Sequence, residues 1–190
     1  MKTIIILVFA LMLTAGASSA QSFKGHISGS YGIINPKVRV QYESPLKDKS
    51  SVGININYYF ENWTGPVFEP FFRFYFFSDK GNSKGFFLQP KLMYGNLSTL
   101  DYETYKNYLI NNRWSTWGIG LNVGFKVLAG KHITIEPLTG FRFLTPPVYR
   151  FSAEANEEFM QSYLGVLEDI GWYLTTGMPI DFQIKFGYQF

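Results

Sequence analysis

Apolar and polar residues take turns along most of this chain. In its last eleven residues Ile180, Phe182, Ile184, Phe186, Tyr188 and Phe190 alternate with Asp181, Gln183, Lys185, Gly187 and Gln189. Successive side chains of an extended backbone point to opposite sides, so period two predicts a strand with one greasy and one polar face. A helix would need a period near 3.6. Rings fill four of the six apolar places, more than a half-buried strand of a soluble protein needs.

Seven further segments carry the same pattern: Phe23–Ile33, Lys37–Glu43, Val52–Phe60, Val67–Phe77, Phe86–Asn96, Trp117–Val127 and His132–Leu144. The set predicts an all-β protein, an eight-stranded antiparallel up-and-down transmembrane β-barrel. A tilted strand crosses a bilayer in about 9–11 residues, and bacterial barrels of one chain have even strand numbers. The chain's 19 Phe, 13 Tyr and 4 Trp suit both strands and membrane interfaces. The connections sort by length. Those around Pro45–Ser50, Ser78–Lys84 and Leu128–Lys131 are short, whereas the two long ones, Leu97–Arg113 and Thr145–Pro179, fall on the side opposite the carboxy terminus. Membrane barrels have short periplasmic turns and longer external loops. Within the last loop, Ser152–Trp172 has apolar residues at near-helical spacing, and Ser152 is a suitable cap, which predicts a short amphipathic helix. Trp172–Pro179 alternates as well and reads as an extension of the last strand above the membrane.

Residues 1–20 read as a secretory signal peptide, leaving 21–190 as one barrel domain. Lys2 starts the leader, Ile4 to Leu13 is apolar throughout, and Ser18 and Ala20 have a small-x-small cleavage spacing. Ten apolar residues make only ~15 Å of helix against a ~30 Å hydrocarbon core, which disfavours an anchor. The expected location is therefore the bacterial outer membrane. There is no cysteine, and a net charge of +3 without basic clusters predicts no nucleic-acid partner.

Eight strands give an interior filled by side chains. The polar faces would place Arg39, Arg73, Lys91, Lys126, Arg142 and Lys185 there with Glu43, Glu69, Glu136 and Asp181, a charge network that is tolerable only if paired. Gly95, Gly118, Gly120, Gly124, Gly140 and Gly187 on those faces would leave room for the long side chains. Pro70, Pro90 and Pro137 lie inside predicted strands, where each deletes a ladder donor, so a bulge is expected beside each. Trp63, Trp114, Trp117 and Trp172 read as interface girdle residues. His26 lies on a polar strand face and His132 beside a turn; the first and seventh strands are near in a closed barrel, so the two rings could approach. No acidic cluster at metal spacing accompanies either in sequence. The carboxylates Glu154, Glu157, Glu158, Glu168 and Asp169 of the last loop read as a solvated helix face. These features predict no catalytic residue, no cofactor and no metal.

The ending Ile184-Lys185-Phe186-Gly187-Tyr188-Gln189-Phe190 resembles the terminal strand of outer-membrane barrels. The mature chain is similar to small eight-stranded barrels of the OmpA/OmpX type, and more so to uncharacterised small barrels of Bacteroides-like bacteria. The resemblance implies that Phe186, Tyr188 and Phe190 form the signal read by the barrel-assembly machinery, with membrane lipid and an unidentified external partner as the other contacts. Lipid A deacylases and palmitoyl transferases use a His near the external face, and the predicted external loops here hold none. The function expected is a non-enzymatic structural or interaction barrel. The alternatives are a narrow pore or transporter favouring anions, and a lipid-modifying barrel enzyme.

Overall fold

The computed structural model describes residues 25–32, 37–47, 49–61, 63–76, 84–99, 109–111, 113–148, 150–151, 170–174 and 179–190. The expected leader and most of the expected loop helix, 152–169, lie outside them. The strands are β1 (His26–Gly32), β2 (Lys37–Lys47), β3 (Ser50–Glu61), β4 (Trp63–Tyr75), β5 (Gly85–Thr99), β6 (Leu109–Asn111), β7 (Arg113–Ala129), β8 (Ile133–Leu144), β9 (Arg150–Phe151) and β10 (Ile180–Gln189). Eight of them close into an antiparallel barrel in the order β1-β10-β8-β7-β5-β4-β3-β2. The two short strands, β6 and β9, pair with each other and tie together the two long connections.

Each strand lies beside its neighbours in sequence, and β1 against β10 completes the circle, with His26 opposite Gln189. Both ends of the barrel domain thus meet at one rim, called here the terminal rim. The long connections 100–112 and 145–179 leave from the opposite rim. The period-two pattern becomes a strict sidedness. Along β4, Trp63, Gly65, Val67, Glu69, Phe71, Arg73 and Tyr75 are buried, while Phe68, Phe72 and Phe74 face outward. Along β10, Asp181, Gln183 and Lys185 are buried and Phe182, Ile184 and Phe186 are exposed. Among the described residues the outer wall is consequently apolar along the middle of every barrel strand, and the charges that the alternation predicts for the polar faces lie inside.

The prolines do not produce bulges. The β4–β5 pairs run from Trp63–Thr99 to Tyr75–Phe87 in one unbroken register, and β7–β8 keeps one register past Pro137. Instead each proline weakens one side only. Pro70 pairs with Ile54 of β3 in a continuous ladder, yet the β4–β5 ladder has no bridge between Phe68–Tyr94 and Phe71–Lys91. Pro90 pairs with Leu121 of β7 without interruption, while the same β4–β5 ladder again breaks between Phe71–Lys91 and Phe74–Leu88. Pro137 pairs with Ile184 of β10, and the break falls on β7. An amide points toward only one of the two neighbouring strands, so deleting it removes bonds from one seam. Within the barrel, the register shift that does occur lies between Pro45 and Lys47, at the β2–β3 turn.

Two further expectations are corrected. Residues 170–174 form a helical turn, so the last strand starts at Ile180 rather than reaching back to Trp172. Trp63, Trp114 and Trp172 point into the lumen, where each is nearly or wholly buried; of the four tryptophans only Trp117, 62% exposed, stands outside, against the Tyr94 ring.

Candidate functional site

The lumen holds two apolar clusters and two groups of charges. Toward the terminal rim Tyr75, Phe87 and Leu138 form a small apolar cluster. Toward the opposite rim Tyr59, Trp63, Val67, Met93, Leu97, Trp114, Leu144 and Trp172 form a larger one. Three indoles lock its centre edge to face: Trp63 lies 5.3 Å from Trp114 and 5.6 Å from Trp172, and Trp114 lies 6.2 Å from Trp172. Edge-to-face rings set the positive rim of one against the negative face of the other. Trp172 comes from the 170–174 turn of the long connection and donates its indole N–H to the Leu144 carbonyl at 3.4 Å.

The charges fall in two groups. Nearer the terminal rim, Arg73 bridges two strands' carboxylates, with Nη1 2.7 Å from Glu43 and Nη2 2.9 Å from Glu136. Lys126 approaches the same pair at 3.0 and 3.3 Å. Tyr75 and Ser51 donate to the other Glu43 oxygen at 2.6 and 2.5 Å, and Arg73 Nε donates to Gln89 at 2.7 Å. The guanidinium also lies 4.1 Å from the centre of the Phe87 ring, which couples this group to the small apolar cluster beside it. Two cations and two carboxylates balance here, with nearly every lone pair of Glu43 occupied.

In the second group Lys91 sits 3.1 Å from Glu69 and 2.7 Å from Asp181. Asn122 and Gln183 donate to the same Asp181 oxygen at 3.2 and 2.5 Å, and Asn55 to Glu69 at 3.3 Å. Arg39 reaches the other Asp181 oxygen only at 3.8 Å and donates its Nε to Asn57. Arg142 and Lys37 both donate to the Tyr59 hydroxyl, at 3.1 and 3.3 Å. Lys185 donates to Gln41 at 2.5 Å and to Asn55 at 3.0 Å. All ten charged residues named from the alternation are therefore lumenal and in contact with this network. Lys37 belongs with them; its signal was the same polar face of β2 that holds Arg39, Gln41 and Glu43. Small residues make the room. A Cβ on Gly120 would stand 2.7 Å from Lys91 Cε, and one on Gly187 2.5 Å from His26 Nε2.

The histidines separate. His26 is buried in the lumen, whereas His132 is exposed at the terminal rim, stacked on Tyr188 at 5.0 Å and bonded through Nδ1 to the Gln189 carbonyl. His26 has no acidic neighbour along the chain, and the fold supplies two from other strands: Nδ1 lies 3.4 Å from Glu43 and Nε2 3.4 Å from Glu136. These three residues hold ligand atoms within 4.8 Å of one another. A metal ion there would meet Lys126, whose ammonium already lies against both carboxylates, and Arg73, which shares the same Glu43 oxygen and holds the other oxygen of Glu136. The chain fills that cation site with its own side chains.

A second arrangement, Thr134 Oγ1 at 2.6 Å from His26 Nε2 with Glu43 beyond Nδ1, lines up an alcohol, an imidazole and a carboxylate in the order that acyl transfer uses. Thr134 has no exposed surface, and His26 and Glu43 are 3% and 1% exposed. A substrate carbonyl has no approach to that hydroxyl, and the row is read as packing. At the chain end, Phe186 and Tyr188 face outward and Phe190 donates its amide to Gly25 at 3.0 Å. No protein-family profile, curated protein or solved structure matches the chain.

Proposed function

We propose that this protein is a non-enzymatic integral barrel of the bacterial outer membrane, acting structurally or as an interaction surface through the two long connections. The observation that carries the reading is the sidedness of the wall. Phe68, Phe72, Leu92, Ile119, Phe141 and Phe182 lie on the outside of a closed sheet, and no charged residue of the described mid-strand segments shares that face. Water penalises such a surface, while hydrocarbon accepts it and demands in return that every backbone group find an internal partner, which closure provides. Trp117 with Tyr94 and His132 with Tyr188 would then mark the two interfaces.

The filled lumen favours this reading over a pore: the indole cluster blocks one half and paired charges the other. Burial of Thr134 and His26 favours it over an enzyme of envelope lipids. The long connections then face the cell exterior, and the last-strand aromatics Phe186, Tyr188 and Phe190 would be presented to the assembly machinery at the periplasmic end. Fractionation tests it. The protein is expected in the outer-membrane fraction, to need detergent for extraction, and to migrate differently on gels before and after boiling. External protease is expected to cut within 100–112 or 145–179 and spare the strands. A protein that stays in aqueous buffer without detergent would remove the proposal.

A further inference from the structure

The lumen's cations exceed its carboxylates. Among the described residues it holds Lys37, Arg39, Arg73, Lys91, Lys126, Arg142 and Lys185 against Glu43, Glu69, Glu136 and Asp181. The surplus is not spread evenly. Arg73 and Lys126 are matched by Glu43 and Glu136 near the terminal rim. In the other group Lys91 takes both Glu69 and Asp181 at close range, leaving Arg39 with Asp181 at 3.8 Å and the Asn57 amide oxygen, Lys37 with the Tyr59 hydroxyl and ring, and Lys185 with the amide oxygens of Gln41 and Asn55.

Two observations locate the shortfall. Arg39, 3% exposed, has an Nη2 with no hydrogen-bond partner. The wall beside it is built of small residues: in the β1–β2 register Ser30 stands opposite Arg39 and Gly32 opposite Lys37. Ser30 and Gly32 are part-exposed although the two cations are buried. The β1–β10 ladder also ends at Gly29–Phe186, just short of these positions.

We propose that the barrel binds one small inorganic anion in this corner, between Lys37 and Arg39 of β2 and the small residues Ser30 and Gly32 of β1. A buried guanidinium cannot shed its proton, so its charge must be matched by something. Loss of a proton from Lys37 would lower the surplus but leave Arg39 Nη2 without an acceptor; one anion answers both. The ligand is small because Lys37 and Arg39 are themselves only 6% and 3% exposed. It acts as a resident counter-ion that holds the charged layer together. The inference requires the lumenal network but not the membrane, so it stands or falls separately from the proposed location.

The test uses the folded full-length mature chain in detergent, dialysed against radiolabelled phosphate and, separately, against bromide. One anion per chain is expected, bound saturably, and the midpoint of thermal unfolding should rise with either anion when ionic strength is held constant with a bulky organic anion. Arg39→Gln should weaken binding about tenfold or more, as loss of a charge-assisted hydrogen bond does. Lys37→Met should weaken it too, while Lys131→Gln, in an exposed turn, should leave it unchanged. Should Arg39→Gln fail to fold, Lys37→Met and the wild-type stoichiometry still decide. A wild-type barrel that migrates as folded yet binds neither anion saturably overturns the proposal, as does undiminished binding in Lys37→Met and Arg39→Gln.

Discussion

Arg73 shows how much one side chain can hold in this interior. It joins Glu43 of β2 to Glu136 of β8 across the lumen, takes Gln89 of β5 with its Nε, and lies over the Phe87 ring. Removing one partner from a buried ionic group leaves the others uncompensated, which costs about 3–5 kcal/mol. Arg73→Met is expected to lower the unfolding free energy by about that amount, read from urea titration in lipid or detergent. The tryptophans supply a second residue-scale contrast. Trp63→Ala should cost about 3–5 kcal/mol, because it empties the middle of the indole cluster. Trp117→Ala, on the outer wall, should cost less than about 1.5 kcal/mol, the worth of its Tyr94 contact beyond area burial. The same titration decides both. Alternation alone could not separate these two indoles. Trp63 lies outside any segment whose period was legible, and its face emerged only when β4 proved to begin at that residue.

At the scale of the strand, the sequence was most informative where rings and charges alternate strictly. The segments of β4, β5, β7, β8 and β10 were found within a few residues of their ends because both faces carry unambiguous chemistry. β7 reaches back to Arg113, beyond the predicted Trp117, through Trp114 and Thr116 inward with Ser115 outward; a ring inside and a hydroxyl outside invert the pattern of the rest of the strand and so are silent to a period count. What proline does to a strand was misjudged for a different reason. A bulge changes register, but a missing amide need only open the seam toward which it points. Both Pro70 and Pro90 shed their donors toward the β4–β5 seam, while β5–β7 is bridged continuously from Gly85–Lys126 to Ser98–Arg113. Amides of β4 and β5 between residues 69 and 73 and between 89 and 93 are therefore expected to exchange with deuterium at least about tenfold faster than those of β7 between residues 118 and 123, which is bridged without a break on both sides. Mass spectrometry after brief labelling would show it, and equal rates in the two sets of amides would refute the one-sided account.

For the whole molecule, closure, strand order and the sorting of connections followed from counting strands and comparing loop lengths. The lumenal partners did not. Glu43 and Glu136 are far apart in the chain and meet His26 only because β1 has β2 on one side and β10, then β8, on the other. Which charge pairs with which depends on tilt and register, which residue type does not encode singly. The layered interior makes a prediction at this scale. Planar-bilayer recordings with the wild-type barrel should show no stepwise current, and Trp172→Ala should show none either, since the charged layer beneath the indoles still fills the bore. Stepwise conductance from the wild type would contradict a packed interior.

Trp172 also sets a rule for anyone who would redecorate this scaffold. It belongs by sequence to the longest connection and by position to the apolar cluster at that end of the barrel. A peptide grafted into that excursion can change its outward message at little expense, provided the graft returns one indole to the bore; without it, a display platform would carry a cavity beneath every guest it presents.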